Sequence, residues 1–532
     1  MGMLTKLLRS WVARSTPAPS KPSEDDRARP ISGRLGQDFA VIKQAFGGSV
    51  DVAGVEISLD PQGRQKIGLA YIQGLVNSAA VQDLTKESLI LRASDFGDAL
   101  IQSSSIAEKE ALLRNLIAPI GSIARVGTID EVLAAMLSGF AVILAEGLPC
   151  GFSTDTRKDS DRTVEEPATQ SVVRGPREGF TESLETNVSL VRKRIRSPQL
   201  WLETSRIGRA TQTEVGLMYL KGTADEAVIE EARRRLARID IDGILESSYI
   251  EELIQDETAT LFPTMYNTER PDVTAAGLLE GRIAIVVDGT PFVLLAPALF
   301  IQFYQSAEDY YQRFEFATLI RLLRYVCFFI TLLAPALYIA ITTFHQELLP
   351  SPLLFNLAAQ REGIPFPAFV EALIMEVTFE ILREAGVRLP KTVGQAVSIV
   401  GALVIGQSAV EAGLVSPGMV IVVAITAISN FVIPSFNMGI SIRILRFVLM
   451  VIAAIFGLFG VTMGLVAIVQ HLCTLRSFGV PYMSPMAPYN NADQKDTILR
   501  LPQWAMFARP RHLTRNRIRQ RDARAAGPRH KD

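Results

Sequence analysis

Cysteine is scarce in this chain: three residues, Cys150, Cys327 and Cys473, in a length of 532. They lie far apart and offer neither a disulfide framework nor a metal-ligand spacing. The four histidines, His345, His471, His512 and His530, form no ligand cluster at a usable spacing. No glycine-rich loop ending in Gly-Lys-Ser/Thr occurs, and no Gly-x-Ser-x-Gly elbow, so the common phosphate-binding and acyl-transfer signatures are missing. No catalytic residue, cofactor or metal is expected. The net charge of −1 averages regions of different character and says little about partners; no nucleic-acid partner is expected. A secretory signal is also missing, because "MGMLTKLLRSWVARS" has basic residues but no long apolar core, so the N-terminal part is expected to stay inside. Met1-Gly2 followed by Leu4, Thr5 and Lys6 matches a myristoylation signal only in part.

What the chain does contain is an uneven distribution of apolar residues. One-fifth of its residues are charged and 48% are hydrophobic, with mean hydropathy +0.23. That combination predicts a soluble part joined to a membrane part. Residues 1–33 ("STPAPSKPSEDDRARP" among them) read as a disordered leader. Residues 34–160 read as a first α/β subdomain, with strands in "DVAGVEISL", "KIGLAYIQGL" and "GFAVILAEG" and helices in "KEALLRNLIAPI" and "TIDEVLAAML". Residues 161–315 read as a second, with the strand "EVGLMYLKG" and the amphipathic helix "ADEAVIEEARRRLARI". A membrane domain is expected over 316–476 and a basic tail over 477–532.

Four windows carry no charge: Tyr325–Phe344, Thr392–Val410, Ala412–Ile442 and Phe447–Leu475, of 20, 19, 31 and 29 residues. A helix crosses the hydrocarbon core in roughly 20 residues. Four spans are expected, near 325–344, 392–410, 418–436 and 447–471. Small residues recur in them ("SIVGALVIGQSAV", "IFGLFGVTMG"), as close helix packing in a membrane requires. Arg313, Arg321 and Arg324 precede the first window, and the tail after Arg509 carries Arg511, Arg515, Arg517, Arg519, Arg521 and Arg524, so both ends are expected on the cytoplasmic side. Arg443 and Arg446 fit awkwardly, because four spans place them outside.

Two helices are informative. In "VVRGPREGFTESLETNVSLVRKRI", Gly175-Pro176 and Gly179 make a turn, and Thr181 is expected to cap a helix beginning at Glu182. Leu184, Val188, Val191 and Ile195 form one apolar stripe, and Arg192, Lys193, Arg194 and Arg196 suit the negative end of the dipole. The turn itself, Arg174, Gly175, Pro176, Arg177, Glu178 and Gly179, reads either as an assembly contact or as an ordinary charged surface turn. The second helix lies in "PFPAFVEALIMEVTFEILREAGVRLP", residues 365–390. Glu376, Glu380 and Glu384 recur every four residues and share a face with Arg383, while Val370, Ile374, Val377, Ile381 and Leu382 take the other. Such an acidic stripe beside a bilayer reads either as the lining of a cation route or as an interfacial helix braced by pairs such as Glu384–Arg388. Asp288, before Gly289, reads as a turn aspartate.

These segments closely resemble the signature of the A subunits of bacterial spore germinant receptors, the GerA type. The likeness continues through "ILESSYIEELIQDE", "FPTMYNTERPD", "LLEGRIAIVVDGTPF", "EDYYQRFEFATLIRLLRY", "VSIVGALVIGQSAV" and "SFGVPYMSPMAP", roughly residues 40 to 510. The resemblance implies a multi-pass protein of the inner spore membrane with a cytoplasmic region of two α/β subdomains. It implies partners: a transporter-like B subunit that binds the germinant, and a lipoprotein C subunit. It also implies a ring of A subunits, a pentamer, around a pore for monovalent cations. A related paralogue, encoded with the dipicolinate-channel genes of stage V sporulation, shares the motifs. A secondary transporter is the rival from another class, against which stand the few spans and the lack of a repeating second half.

Overall fold

The computed structural model of the protein describes residues 29–59, 65–86, 103, 105–117, 122–158, 165–389, 406–490, 493–506, 508–514, 516 and 519. Its first unit runs α1 (Leu35–Ala45), β1 (Val52–Ser58), β2 (Lys66–Ile72), α2 (Ser78–Asp83), α3 (Ile106–Ile117), β3 (Ile123–Val126), α4 (Ile129–Leu137), β4 (Phe140–Ala145) and β5 (Gly151–Asp155). The strands form one sheet in the order β1-β2-β4-β5-β3, and every pairing is antiparallel. The run "FAVILA" of β4 is almost wholly apolar because both faces are covered. Ala141 and Ile143 face one core with Leu113 and Ile117, while Val142 and Leu144 face another with Val132 and Met136.

The second unit repeats this plan. It runs α5 (Leu184–Arg194), β6 (Leu200–Ile207), β7 (Thr213–Leu220), α6 (Glu226–Ala237), α7 (Ser247–Ile254), β8 (Tyr266–Thr268), α8 (Pro271–Glu280), β9 (Ile283–Val287) and β10 (Val293–Ala296). The element sequence is the same, and the sheet order β6-β7-β9-β10-β8 is that of the first unit. The two mixed α/β units are therefore tandem copies of one topology. They are locked together where α5 meets the first unit. Arg192, wholly buried, forms a two-pronged ion pair with Asp51 and donates to Leu200 O at 3.0 Å. Leu202 N donates to Ser49 Oγ at 3.0 Å beside it.

Two details of α5 differ from the expectation. The capping side chain is Ser183, which accepts from Thr186 N, and the helix starts at Leu184. Thr181 is instead held by Asn187, whose Oδ1 accepts from Thr181 N at 2.7 Å and whose Nδ2 donates to Thr181 O at 2.6 Å. Asp288 does more than terminate a strand: its Oδ1 accepts from Leu184 N at 3.0 Å and so serves the start of α5 from across the sheet.

After β10 come a short helix α9 (Glu308–Tyr311) and then α10 (Phe314–Phe344), α11 (Ser351–Arg361), α12 (Ala368–Arg388), α13 (Pro417–Phe431) and α14 (Phe436–Thr474). Among the described residues, α10 and α14 are long and apolar enough to cross a membrane, and α13 is a shorter apolar helix. The expected span at 392–410 lies mostly outside the described residues. α14 is not one rod. At Gly457 (φ +59°) the chain reverses, and this apex packs against Phe344 and His345 at the far end of α10. Ser441 then donates to Leu261 O, and His471 sits 2.9 Å from Thr260 Oγ1. A straight helix would hold residues 441 and 471 about 45 Å apart at 1.5 Å per residue. The 29-residue charge-free window, and with it the span expected at 447–471, thus crosses the apex of a helical hairpin, with Phe447–Phe456 on the first arm. This corrects the placing of Arg443 and Arg446: they lie on the same level as the α/β units, near Leu261.

The chain then returns to the second sheet. The hairpin β11 (Arg476–Ser477) and β12 (Val480–Pro481) follows α14 directly. Ser477 Oγ donates to Thr264 O at 2.6 Å and accepts from Ala298 N at 2.9 Å. The described residues of the C-terminal segment dock on the second unit. Arg509 donates to Leu279 O at 2.7 Å, and Arg519 pairs with Glu280 at 2.8 Å.

Candidate functional site

α12 begins after Pro367, whose fixed φ suits the residue before a first turn. The helix carries its polar face inward. Glu371 and Glu376 are 0% exposed, whereas Ile381 is 64% and Val387 71% exposed. The face predicted as apolar is the outer one. Glu371 Oε2 accepts from Ser416 N at 2.9 Å, and Arg361 lies 3.3 Å from its other oxygen.

One and a half turns on, Glu376 faces Arg446 at 2.7 Å. Glu380 Oε2 receives Arg443 Nη1 at 2.7 Å and Arg383 Nη2 at 2.8 Å, and its Oε1 lies 3.5 Å from Arg446. Glu384 is exposed and paired with Arg388 at 2.7 Å, the i, i+4 brace that the spacing allows. Three guanidinium groups therefore share two carboxylates. The Glu376–Arg446 contact is close yet misaligned: neither Glu376 oxygen, nor Arg446 Nη2, has hydrogen-bond geometry with any partner. A buried ion pair without aligned hydrogen bonds recovers little of its desolvation cost.

The glutamates were expected to share one face; Glu376 and Glu380 turn to the enclosed side, whereas Glu384 is exposed. The partner arginines were not paired with them from sequence, because 63 residues separate Glu380 from Arg443. The signal was present, however, in two arginines too awkward for the span count.

A second charged cluster joins α10 to the α/β units. Asp309 of α9 holds Arg324 at 2.7 Å and Arg321 at 3.3 Å, and Arg321 reaches Asp496 at 2.9 Å. Around it lies an aromatic joint. Phe300 and Tyr304 meet Phe328 of α10 with ring centroids 6.0 and 5.5 Å apart, and Phe300 meets Tyr482 at 6.1 Å. One continuous core runs from β9 and β10 through these rings into α10 and α14.

The turn from Arg174 to Gly179 lies against this joint. Gly175 adopts φ +142°, and a Cβ there would come within 2.6 Å of the Tyr311 ring. Pro176 O accepts from Arg270 Nη2 at 2.9 Å, and Arg270 also holds Asp272, which accepts from Tyr311 Oη at 2.5 Å. Burial and that hydrogen bond raise the Tyr311 phenol above its ordinary range, so it remains a donor. Glu178 pairs with Arg194 at 2.8 Å, while Arg174 and Arg177 point to the exposed side. Gly175→Ala is expected to cost about 1–3 kcal/mol through the positive φ and the ring contact. Thermal denaturation of the full chain checks this, and an unchanged melting temperature would mean that the turn is not seated on Tyr311.

The family model described as "Bacillus/Clostridium GerA spore germination protein" matches residues 40–512. The chain belongs to the GerA spore germination family. "Spore germination protein KA" of Bacillus subtilis (strain 168) is 51% identical over 502 residues, covering 93% of this chain and 90% of that protein. "Uncharacterized membrane protein YfkQ" of the same organism is 46% identical over 491 residues, covering 92% and 93%. The crystal structure of the N-terminal domain of the A subunit of the Bacillus megaterium spore germinant receptor GerK3 is 38% identical and covers 52% of this chain and 100% of that one, with a TM-score of 0.41. In this GerA member, both clusters and the turn fall inside the matched residues.

Proposed function

We propose that this GerA-family chain is the membrane-embedded A-type subunit of a spore germinant receptor. Copies of it, five by the family resemblance, would ring a route for monovalent cations. The observation that carries the membrane setting is the inversion of the helical part. Charged residues such as Glu376 and Arg446 are enclosed, while Leu319, Val326, Ile381, Ile428, Phe431, Phe459 and Val466 lie outside. A soluble bundle does the reverse, so the outer apolar surface fits acyl chains. The start of α10 and the end of α14 both meet the second sheet, which fits an even number of passes with both ends cytoplasmic. A transporter-like B subunit and a lipoprotein C subunit complete the receptor in this reading, and the turn Arg174–Gly179, with Arg174 and Arg177 exposed, is an assembly contact.

Glu376, Glu380 and Glu384 line or guard the cation route. In the present arrangement Glu376 and Glu380 are neutralised by Arg443, Arg446 and Arg383, so a cation meets free carboxylates only when those pairs part. The misaligned Glu376–Arg446 contact is the point at which they part. Glu380→Gln keeps the shape and one acceptor oxygen while removing the charge. The expected result in spores is a normal protein level with cation release on germinant addition slowed about tenfold, equivalent to ~1.4 kcal/mol on the barrier. Glu380→Lys is expected to be slower still, because it reverses the field. If both variants assembled and released cations at the normal rate, the lining role would be discarded.

A further inference from the structure

A cavity of about 510 Å³ lies between the α/β units and the helical bundle. Its wall carries Arg270, Arg324, Arg383 and Arg443, with Glu308 as the single acidic side chain and Asn430 beside them. These arginines come from segments far apart in the chain: Arg270 immediately precedes α8, and Arg324, Arg383 and Arg443 lie on α10, α12 and α14. Asp272, Asp309 and Glu380 hold the guanidinium groups, and none of the three is part of the cavity wall. Glu308 turns its carboxylate to Gln312, which donates at 2.7 Å.

Each guanidinium has five N–H donors. Arg324 makes both of its described hydrogen bonds through Nη1, to Tyr304 O and Asp309. Arg443 uses Nη1 for Glu380 and Nε for Gly439 O. Arg270, 2% exposed, has a buried Nε with no partner. Ser435, which caps α14, and Phe436, its first residue, also form part of the wall, and the positive end of that helix adds to the field. Arginine donates in a planar fork and cannot accept, so a site built from four of them selects an anion with several oxygens. Phe431 and Phe436 line the same cavity and are 68% and 63% exposed, giving it an apolar lip at the level where the outer faces of α13 and α14 begin.

From this wall we infer that the cavity binds a phosphate group, carried either by an anionic phospholipid or by a free phosphate. Basic pockets between membrane helices on the cytoplasmic side take lipid head groups in this way. The ligand would bridge α8 and α10 to α12 and α14, and would therefore tie the position of the acidic helix to that of the second sheet. The lipid source rests on the membrane setting proposed above; binding of phosphate itself does not, and it is independent of cation conduction.

The test uses the full chain purified in a neutral detergent, with melting temperature as the readout. Inorganic phosphate is titrated at constant ionic strength against chloride. The protein is also placed in nanodiscs of phosphatidylcholine, with and without phosphatidylglycerol. A saturable rise with phosphate is expected, and its apparent Kd is expected to weaken about tenfold or more in Arg383→Gln. Arg383→Gln leaves Glu380 with Arg443, so no carboxylate loses its last partner. Arg383→Lys keeps the charge and is expected to retain most of the binding, which separates lost binding from lost folding. Arg388→Gln, exposed and outside the cavity wall, is expected to bind as the unaltered protein does. Stabilisation by phosphatidylglycerol that removes the phosphate response assigns a lipid head group. A phosphate response that persists in both discs assigns a free phosphate. No response to either probe, or an undiminished response in Arg383→Gln, overturns the inference.

Discussion

Arg446→Met is expected to destabilise the purified protein by about 3–5 kcal/mol, because it leaves the Glu376 carboxylate enclosed without its cation. Glu380 provides no rescue, since it is itself an acid one turn away. Adding Glu376→Leu is expected to recover most of the loss, because the misaligned pair gives little back for its desolvation. The measurement is thermal denaturation of the single and double variants in detergent. The same double variant separates stability from function. If the pair serves only packing, the recovered protein supports germination normally. If it is the point at which the acidic helix lets go, the recovered protein is stable and slow. A single variant as stable as the unaltered chain would show that the contact does not hold α12 to α14.

The acidic face of α12 was legible because four-residue spacing fixes a helical face regardless of context. Which way that face pointed was not legible. Sequence periodicity gives the angle between stripes, whereas burial depends on whether the surroundings are water or acyl chains. The reversal at Gly457 was hidden for a similar reason. "IFGLFGVTMG" is uniformly apolar, and a window without charge looks the same whether it is one helix or a hairpin. Only the positive φ of one glycine among several distinguishes them. The two α/β units were visible as alternating strand and helix patterns, but their common strand order was not, since pairing across a sheet is set by contacts distant in sequence. Arg192 was assigned to the helix dipole on position alone. It follows Val188 by four residues, and this places it on the buried stripe.

The position of the joint gives these elements a common purpose. Phe300, Phe303 and Tyr304 are buried between β10 and α10, and Tyr482 reaches them from beyond α14. Aromatic rings packed in this way transmit displacement because a close-packed core has few soft directions. A movement of the second sheet therefore reaches α10 and α14 together. α12 is bound to α14 through the arginine–glutamate contacts and to the start of α13 through Glu371 and Ser416.

Transmission of that kind requires the first unit to move with the second, and the lock at Arg192 decides this. Arg192→Ala is expected to cost about 3–5 kcal/mol, since Asp51 stays enclosed with its partner gone. The loss also removes the hydrogen bond to Leu200 O that fixes the start of β6. Arg192→Lys keeps a charge but has no fork for the two Asp51 oxygens and is expected to fall between the two. Because the contact joins the units rather than building either one, the expected signature is specific. Calorimetry of the full chain in detergent is expected to resolve an early transition for the first unit while the melting of the helical part is little changed. Asp51→Asn combined with Arg192→Leu is expected to lose less than Arg192→Ala, since no buried charge is left unpaired. A single unshifted transition in Arg192→Ala would mean that the units are held by Ser49, Trp201 and the surrounding apolar contacts, and that the ion pair is incidental.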